Sequence, residues 1–138
     1  MVQTDKHGGG CLCGAVRFVA EGPPLWVAHC HCHSCRRHAG AAVTTYVGYG
    51  NDRVTWQGNR AVYESSPGAR RGFCPTCGST LTYAGDRFPD EIHIHVSAFD
   101  EPDRFPAQVH VNFAEKVSWF DVRDDLNRCK GFSGDADA

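Results

Sequence analysis

Residues 73–78 read Phe73-Cys74-Pro75-Thr76-Cys77-Gly78, a Cys-x-x-Cys knuckle from which the rest of the chain can be read. Zinc binds thiolates at about 2.3 Å in a tetrahedron, so two ligands on one loop require the backbone to turn sharply back. Pro75 can preset the φ of such a turn, and Gly78 accepts a left-handed conformation without steric cost. The amides of the turn can then point at the sulfurs and offset their charge. The knuckle supplies two of four ligands, so the other two must come from elsewhere.

Cys11-Leu12-Cys13 offers them. In an extended segment residues i and i+2 project to the same side, so Cys11 and Cys13 can complete a four-thiolate site with Cys74 and Cys77. A closed four-sulfur site is structural, contributes on the order of 10 kcal/mol to folding, and here ties two distant parts of the chain together. Three more thiols lie in Cys30-His31-Cys32-His33-Ser34-Cys35. Extended backbone puts Cys30 and Cys32 on one face and His29, His31 and His33 on the other, and Cys35 returns from the first turn of a short helix. Three local ligands with a vacant fourth position describe a catalytic zinc. Three thiolates on Zn²⁺ leave a net charge of −1, which polarises water poorly but favours holding an incoming thiol as thiolate.

The apolar residues alternate with period two, the strand signature. Val16, Phe18 and Ala20 share a face, as do Val54 with Trp56, Val62 with Glu64, Leu81 with Tyr83, Ile92 with Ile94 and Val96, and Val109 with Val111 and Phe113; Val117 and Trp119 begin a further strand. Turn signals stand between them at Gly22-Pro23-Pro24, Gly48, Gly50-Asn51-Asp52, Gly58-Asn59, Pro67-Gly68 and Gly85-Asp86. One short helix is expected over Ser34 to Ala39, ended by Gly40. The expected fold is therefore mainly β, with antiparallel sheets, one short helix and zinc-binding knuckles. Its 138 residues fit a single domain, with a core at about 10–124 and flexible ends, the tail from Gly131 to Ala138 being frayed.

Composition narrows the function. Lys plus Arg number 14 against 16 Asp plus Glu, a net charge of −2 that argues against nucleic acid as a partner. No stretch reaches the roughly 18 apolar residues of a membrane span, and the start has no apolar signal region. A reducing cytoplasm is the expected compartment, where eight thiols point to metal ligands or redox chemistry rather than to disulfides.

In order along the chain, Gly10-Cys11-Leu12-Cys13-Gly14-Ala15-Val16-Arg17-Phe18, Cys30-His31-Cys32-His33-Ser34-Cys35-Arg36-Arg37-His38-Ala39-Gly40 and Phe73-Cys74-Pro75-Thr76-Cys77-Gly78-Ser79 are followed by His110 and the segment from Lys116 to Trp119. This pattern resembles the glutathione-dependent formaldehyde-activating enzymes, over about Gly10 to Asp124. The resemblance implies a β-tent of stacked antiparallel sheets and two zincs per chain, one structural on Cys11, Cys13, Cys74 and Cys77 and one catalytic on Cys30, Cys32 and Cys35. It also implies carbon–sulfur lyase chemistry that joins glutathione to formaldehyde as S-hydroxymethylglutathione, and the reverse.

The expected mechanism has a thiol enter the vacant position on the second zinc and add as thiolate to the aldehyde carbonyl. Arg36 and Arg37 are candidates to bind glutathione carboxylates, against a salt-bridged helix start. His31 is a proton-carrier candidate, against plain packing. His93 and His95 line a sheet surface or pair on a metal. Arg70 and Arg71 face solvent, Trp56 and Trp119 are core or pocket wall, and Cys129 is a lone thiol or a ligand from the tail. The rival readings are a zinc-ribbon-like binding module with both metals structural, and a thiol redox or metal-buffering protein. Closure of the second site by His31, His93 or Cys129 would favour the module.

Overall fold

The computed structural model describes residues 5–133. In chain order its elements are β1 (Lys6–Gly10), β2 (Arg17–Glu21), β3 (Trp26–Cys30), α1 (His33–Ala39), β4 (Thr44–Gly50), β5 (Val54–Gln57), β6 (Ala61–Ser66), β7 (Ala69–Phe73), β8 (Thr80–Gly85), β9 (Glu91–His95), β10 (Val109–Val111) and β11 (Asn127–Arg128). Strands β1-β2-β5 form a small antiparallel sheet, and a larger one runs β11-β10-β3-β4-β9-β8-β7-β6. The fold is mainly β with stacked sheets and one helix. Pairing is antiparallel except at β10, which lies parallel to both β3 and β11, so the purely antiparallel expectation is corrected there. A parallel neighbour needs a long connection, and β10 follows β3 only after most of the chain has intervened.

The sheets stack through an apolar core in which Phe18 and Ala20 of the small sheet, with Val16 just before it, meet Val27, Val47, Tyr49 and Ile94 of the large one. Phe18 packs edge-on against Phe99 with ring centroids 5.0 Å apart, and Trp56 is tilted against the same ring at 5.0 Å. On the opposite face of the large sheet Ala28, Cys30, Tyr46 and Val111 gather with Cys35 of the helix. Alternation along β3, β4 and β9 thus divides each strand between a packed face and a face that carries the cysteine trio.

Several expectations are corrected. The helix begins one residue early, at His33, because the Cys32 sulfur caps it by accepting the Cys35 N–H at 3.3 Å. Its end is as expected, at left-handed Gly40, whose N–H reaches the Arg36 carbonyl at 2.8 Å. Val96 lies in a 3-10 turn beyond β9, and β10 stops at Val111 because Asn112 turns left-handed (φ 51°), so Phe113 also falls in a 3-10 turn. Val117 and Trp119 form no strand, since the Phe120 N–H closes a turn on the Val117 carbonyl at 3.3 Å and Trp119 is left 76% exposed. Gly48 marks no turn but sits inside β4 opposite Trp26, where a Cβ would overlap the indole. Of the tail expected to fray, residues 134–138 lie outside the described residues. Among the described residues no helix is long and apolar enough to cross a membrane.

Strand β1 is also tied by an isolated backbone bridge, at Gly9, to Phe99 in the segment that follows β9. A side chain at Gly9 would overlap the Ala98 carbonyl oxygen and the Phe18 ring, one of which is backbone. Gly9→Ala is therefore expected to cost about 1–3 kcal/mol of stability, read as a lower denaturant midpoint at unchanged m-value. An unchanged midpoint would show that the bridge yields freely.

Candidate metal centre

The first cysteine group is built by two turns. After β1 the chain folds back so that the Cys11 N–H meets the Val16 carbonyl at 3.0 Å, and the Val16 N–H donates to the Cys11 sulfur at 3.2 Å. In the knuckle after β7, the Gly78 N–H reaches the Cys74 carbonyl at 2.8 Å, and the N–H groups of Thr76 and Cys77 point at the Cys74 sulfur at 3.4 and 3.5 Å. Gly78 is left-handed at φ 76°, as the turn requires. The Leu12 N–H donates to the Ser79 Oγ at 2.9 Å and locks the two turns together. The Ser79 hydroxyl and N–H also hold the Cys77 thiol down at about 5.

The donor set fits a tetrahedral ion. A tetrahedron with metal–sulfur bonds of about 2.3 Å has sulfurs about 3.8 Å apart. Cys11 to Cys13 is 3.7 Å and Cys13 to Cys74 is 3.8 Å, and all four sulfurs lie within 4.8 Å of one another. These four residues could hold a metal ion.

The second group forms where β3 runs into α1. Cys30 ends the strand, Cys32 caps the helix and Cys35 comes from its first turn, with Cys35 lying 3.6 Å from Cys30 and 3.1 Å from Cys32. Hydrogen bonding with Cys30 first, and with Cys35 next, lowers the Cys32 thiol, while the contacts with Cys32 and Cys35 raise that of Cys30. Among the described residues no further His, Cys, Asp or Glu joins this trio. Cys129 is buried elsewhere, its sulfur accepting from Asn127 Nδ2 at 3.6 Å.

Two residues that the sequence reading missed complete the surroundings. Arg71, expected in solvent, is only 5% exposed, and its Nη1 donates to the Cys35 sulfur at 3.3 Å and to the Tyr46 hydroxyl at 3.2 Å. Burial works against the Arg71 charge, but the sulfur of Cys35 more than offsets it and keeps the guanidinium protonated. Consecutive strand residues face opposite ways, so one member of the Arg70-Arg71 pair had to point inward, and that alternation was the available signal. Arg70 is the outward member, paired with Asp86 at 3.0 Å. Left-handed Asn112 brings its Nδ2 to 3.4 Å from the Cys30 sulfur, a contact that nothing in the sequence announced.

The three residues expected to touch substrate are placed elsewhere. Arg36 donates through Nη1 to the carbonyls of His31 and Glu115, and Arg37 is exposed on the helix. His31 is buried behind the cysteine loop, 2.8 Å from His110, which in turn contacts Asp124 at 3.0 Å. Desolvation raises the Asp124 pKa, but hydrogen bonds from His110, the Leu126 N–H and Arg128 outweigh it and keep the carboxylate ionised. His29 approaches this chain closely enough for a metal cluster with His110 and Asp124, but Arg128 already holds Asp124 Oδ1 at 2.5 Å. His93 and His95 share the trio's face of the sheet. His93 lines the cavity beside the trio, and burial drives His95 down to about 3, with its Nδ1 against Thr44 Oγ1 at 2.9 Å.

A cavity of about 350 Å³ opens on Cys30, Cys32 and Cys35, with Arg71, Tyr46 and Asn112 in its wall. A trio of convergent sulfurs at the end of a largely apolar cavity suits chemistry on a small molecule that enters sulfur-first or carbonyl-first.

Comparison with known proteins gives the family. The family model for the glutathione-dependent formaldehyde-activating enzyme matches residues 6–115. A Halomonas elongata protein, provisionally named as such an enzyme, is 32% identical over 133 residues, covering 88% of this chain and 84% of its own. A Schizosaccharomyces pombe protein named as an uncharacterized lyase is 35% identical over 81 residues, covering 57% of this chain and 58% of its own. The crystal structure of a Rhodobacter sphaeroides protein superposes with a TM-score of 0.57 at 26% identity, covering 67% of this chain and 87% of that one. With four-fifths of its length matched, the chain belongs to the glutathione-dependent formaldehyde-activating enzyme family.

Proposed function

We propose that this protein is a zinc-dependent carbon–sulfur lyase that joins a thiol such as glutathione to a small aldehyde such as formaldehyde, and runs the reverse cleavage. It would act as one zinc-binding domain with two zincs per chain, one structural on Cys11, Cys13, Cys74 and Cys77 and one catalytic on Cys30, Cys32 and Cys35. The observation that carries this reading is the cysteine trio: three sulfurs converge at the end of a cavity and no fourth protein ligand joins them among the described residues. When bound there, zinc supplies a Lewis acid that favours the thiolate form of a thiol cosubstrate.

The chain's own residues set the electrostatics. Arg71 and Asn112 donate to two of the three sulfurs and the Cys35 N–H to the third, so each thiolate has a donor. The Arg71 charge offsets the net −1 of a three-thiolate zinc. Burial first, and the Cys35 sulfur next, raise the Tyr46 pKa well above its usual value, so the hydroxyl stays protonated and accepts from Arg71. In the addition, the S–H bond breaks, a C–S bond forms at the carbonyl carbon, and one proton ends on the former carbonyl oxygen. The cleavage reverses each of these changes.

Elemental analysis of reduced protein should find about two zincs per chain, falling to about one after mild chelation with the fold retained. Two that resist chelation would favour a structural pair and overturn the catalytic assignment. Cys32→Ser should abolish acceleration of glutathione–formaldehyde exchange, followed by exchange NMR, and leave one zinc in place; unchanged turnover would sink the proposal. Arg71→Lys keeps the charge but loses the fork that spans Cys35 and Tyr46, so kcat/KM should fall roughly 10–100-fold with an unaltered circular dichroism spectrum.

A further inference from the structure

The cavity beside the cysteine trio is much larger than a one-carbon aldehyde needs, and its wall is largely apolar. Formaldehyde has two non-hydrogen atoms, comparable to a water molecule that occupies about 30 Å³ of liquid, whereas the cavity encloses about 350 Å³. Its walls are built from Trp26, Tyr46, Tyr83, Phe88, Val109 and Phe132. The rings form a connected box, His93 meeting Trp26 edge-on at 4.5 Å and Phe88 at 5.2 Å, and Phe88 meeting Phe132 at 5.5 Å. Gly48 allows this, because any side chain there would displace the Trp26 indole.

The charged groups in the wall are already engaged. Among the described residues they are Arg71 and Glu91. Arg71 serves Cys35 and Tyr46 and lies 4.9 Å over the Tyr83 ring, and Glu91 Oε1 takes the Trp26 Nε1–H at 3.2 Å and contacts His93 Nε2 at 2.9 Å. A tripeptide's two carboxylates and ammonium find no matching partners in this wall and stay outside it, in solvent, with only the sulfur and what it carries reaching the cavity. An apolar ring would instead meet aromatic faces on several sides.

We propose that one of the two partners joined at this site carries an aromatic or similarly bulky apolar group, which the cavity holds while the sulfur and carbonyl carbon meet at the cysteine trio. The inference rests on the thiol–aldehyde reading above. The reaction is R–CHO plus R′–SH giving R–CH(OH)–SR′, with the ring on R or on R′ and the atoms balanced as before.

Two stable thioethers test it on the full-length, metal-loaded protein by isothermal titration: S-benzylglutathione and S-methylglutathione. The benzyl compound should bind at least about tenfold more tightly. Ala28→Phe, which fills the cavity from the middle of β3, should erase that preference; Val109→Phe serves the same purpose if the first variant does not fold. Equal affinities, or a preference untouched by a folded filling variant, overturn the proposal. Kinetics then assign the ring. Faster turnover of phenylacetaldehyde with glutathione places it on the aldehyde, and faster turnover of formaldehyde with benzyl mercaptan places it on the thiol. Acceleration of glutathione with formaldehyde alone overturns the inference but leaves the enzyme reading standing. If no pair is accelerated the enzyme reading falls, and the thioether comparison still decides what the cavity binds.

Discussion

Three ionisable sulfurs within 4.8 Å of one another, two of them buried, are costly to charge, and much of the local structure answers that cost. Each has a donor from a different part of the chain: the first-turn amide for Cys32, β7 through Arg71 for Cys35, and the end of β10 through Asn112 for Cys30. The parallel pairing of β10 with β3 sets Val111 against Cys30 and so puts Asn112 within reach. Behind the loop, the chain from His31 through His110 to Asp124 packs and hydrogen-bonds the segment that would otherwise flex between Cys30 and Cys32. These are the second partners that a metal site needs if its ligands are to hold one geometry.

Much of this was legible in the sequence where chemistry and spacing coincide. The division of seven cysteines into a group of four and a group of three follows from loop and strand geometry, and the structure brings the same residues together. The alternating runs at Phe18–Ala20, Val54–Trp56 and Ile92–Ile94 are strands with a packed face, while Val16 is buried in the bend just before β2. Strands β3 and β4 were harder to read because they lie inside the large sheet and are buried on both faces, so Trp26–Cys30 and Thr44–Gly50 lack a clean apolar–polar rhythm.

The failures share a cause. Arg71 and Arg36 were judged from residue type and immediate neighbours, whereas their positions are set by the tertiary structure. Arg71 faces inward because β7 lies between β6 and β8 and one of two consecutive arginines must turn to the cysteine face. Arg36 looked suited to carboxylates, but the carbonyls of His31 and Glu115 claim its guanidinium. A polar side chain's partner is a tertiary fact.

Strand β7 also links the two cysteine groups. It carries Arg71 and runs, through Phe73, directly into Cys74 of the knuckle. The turn that carries two of the four sulfurs and the side chain that reaches Cys35 thus belong to one short continuous segment, residues 71–77.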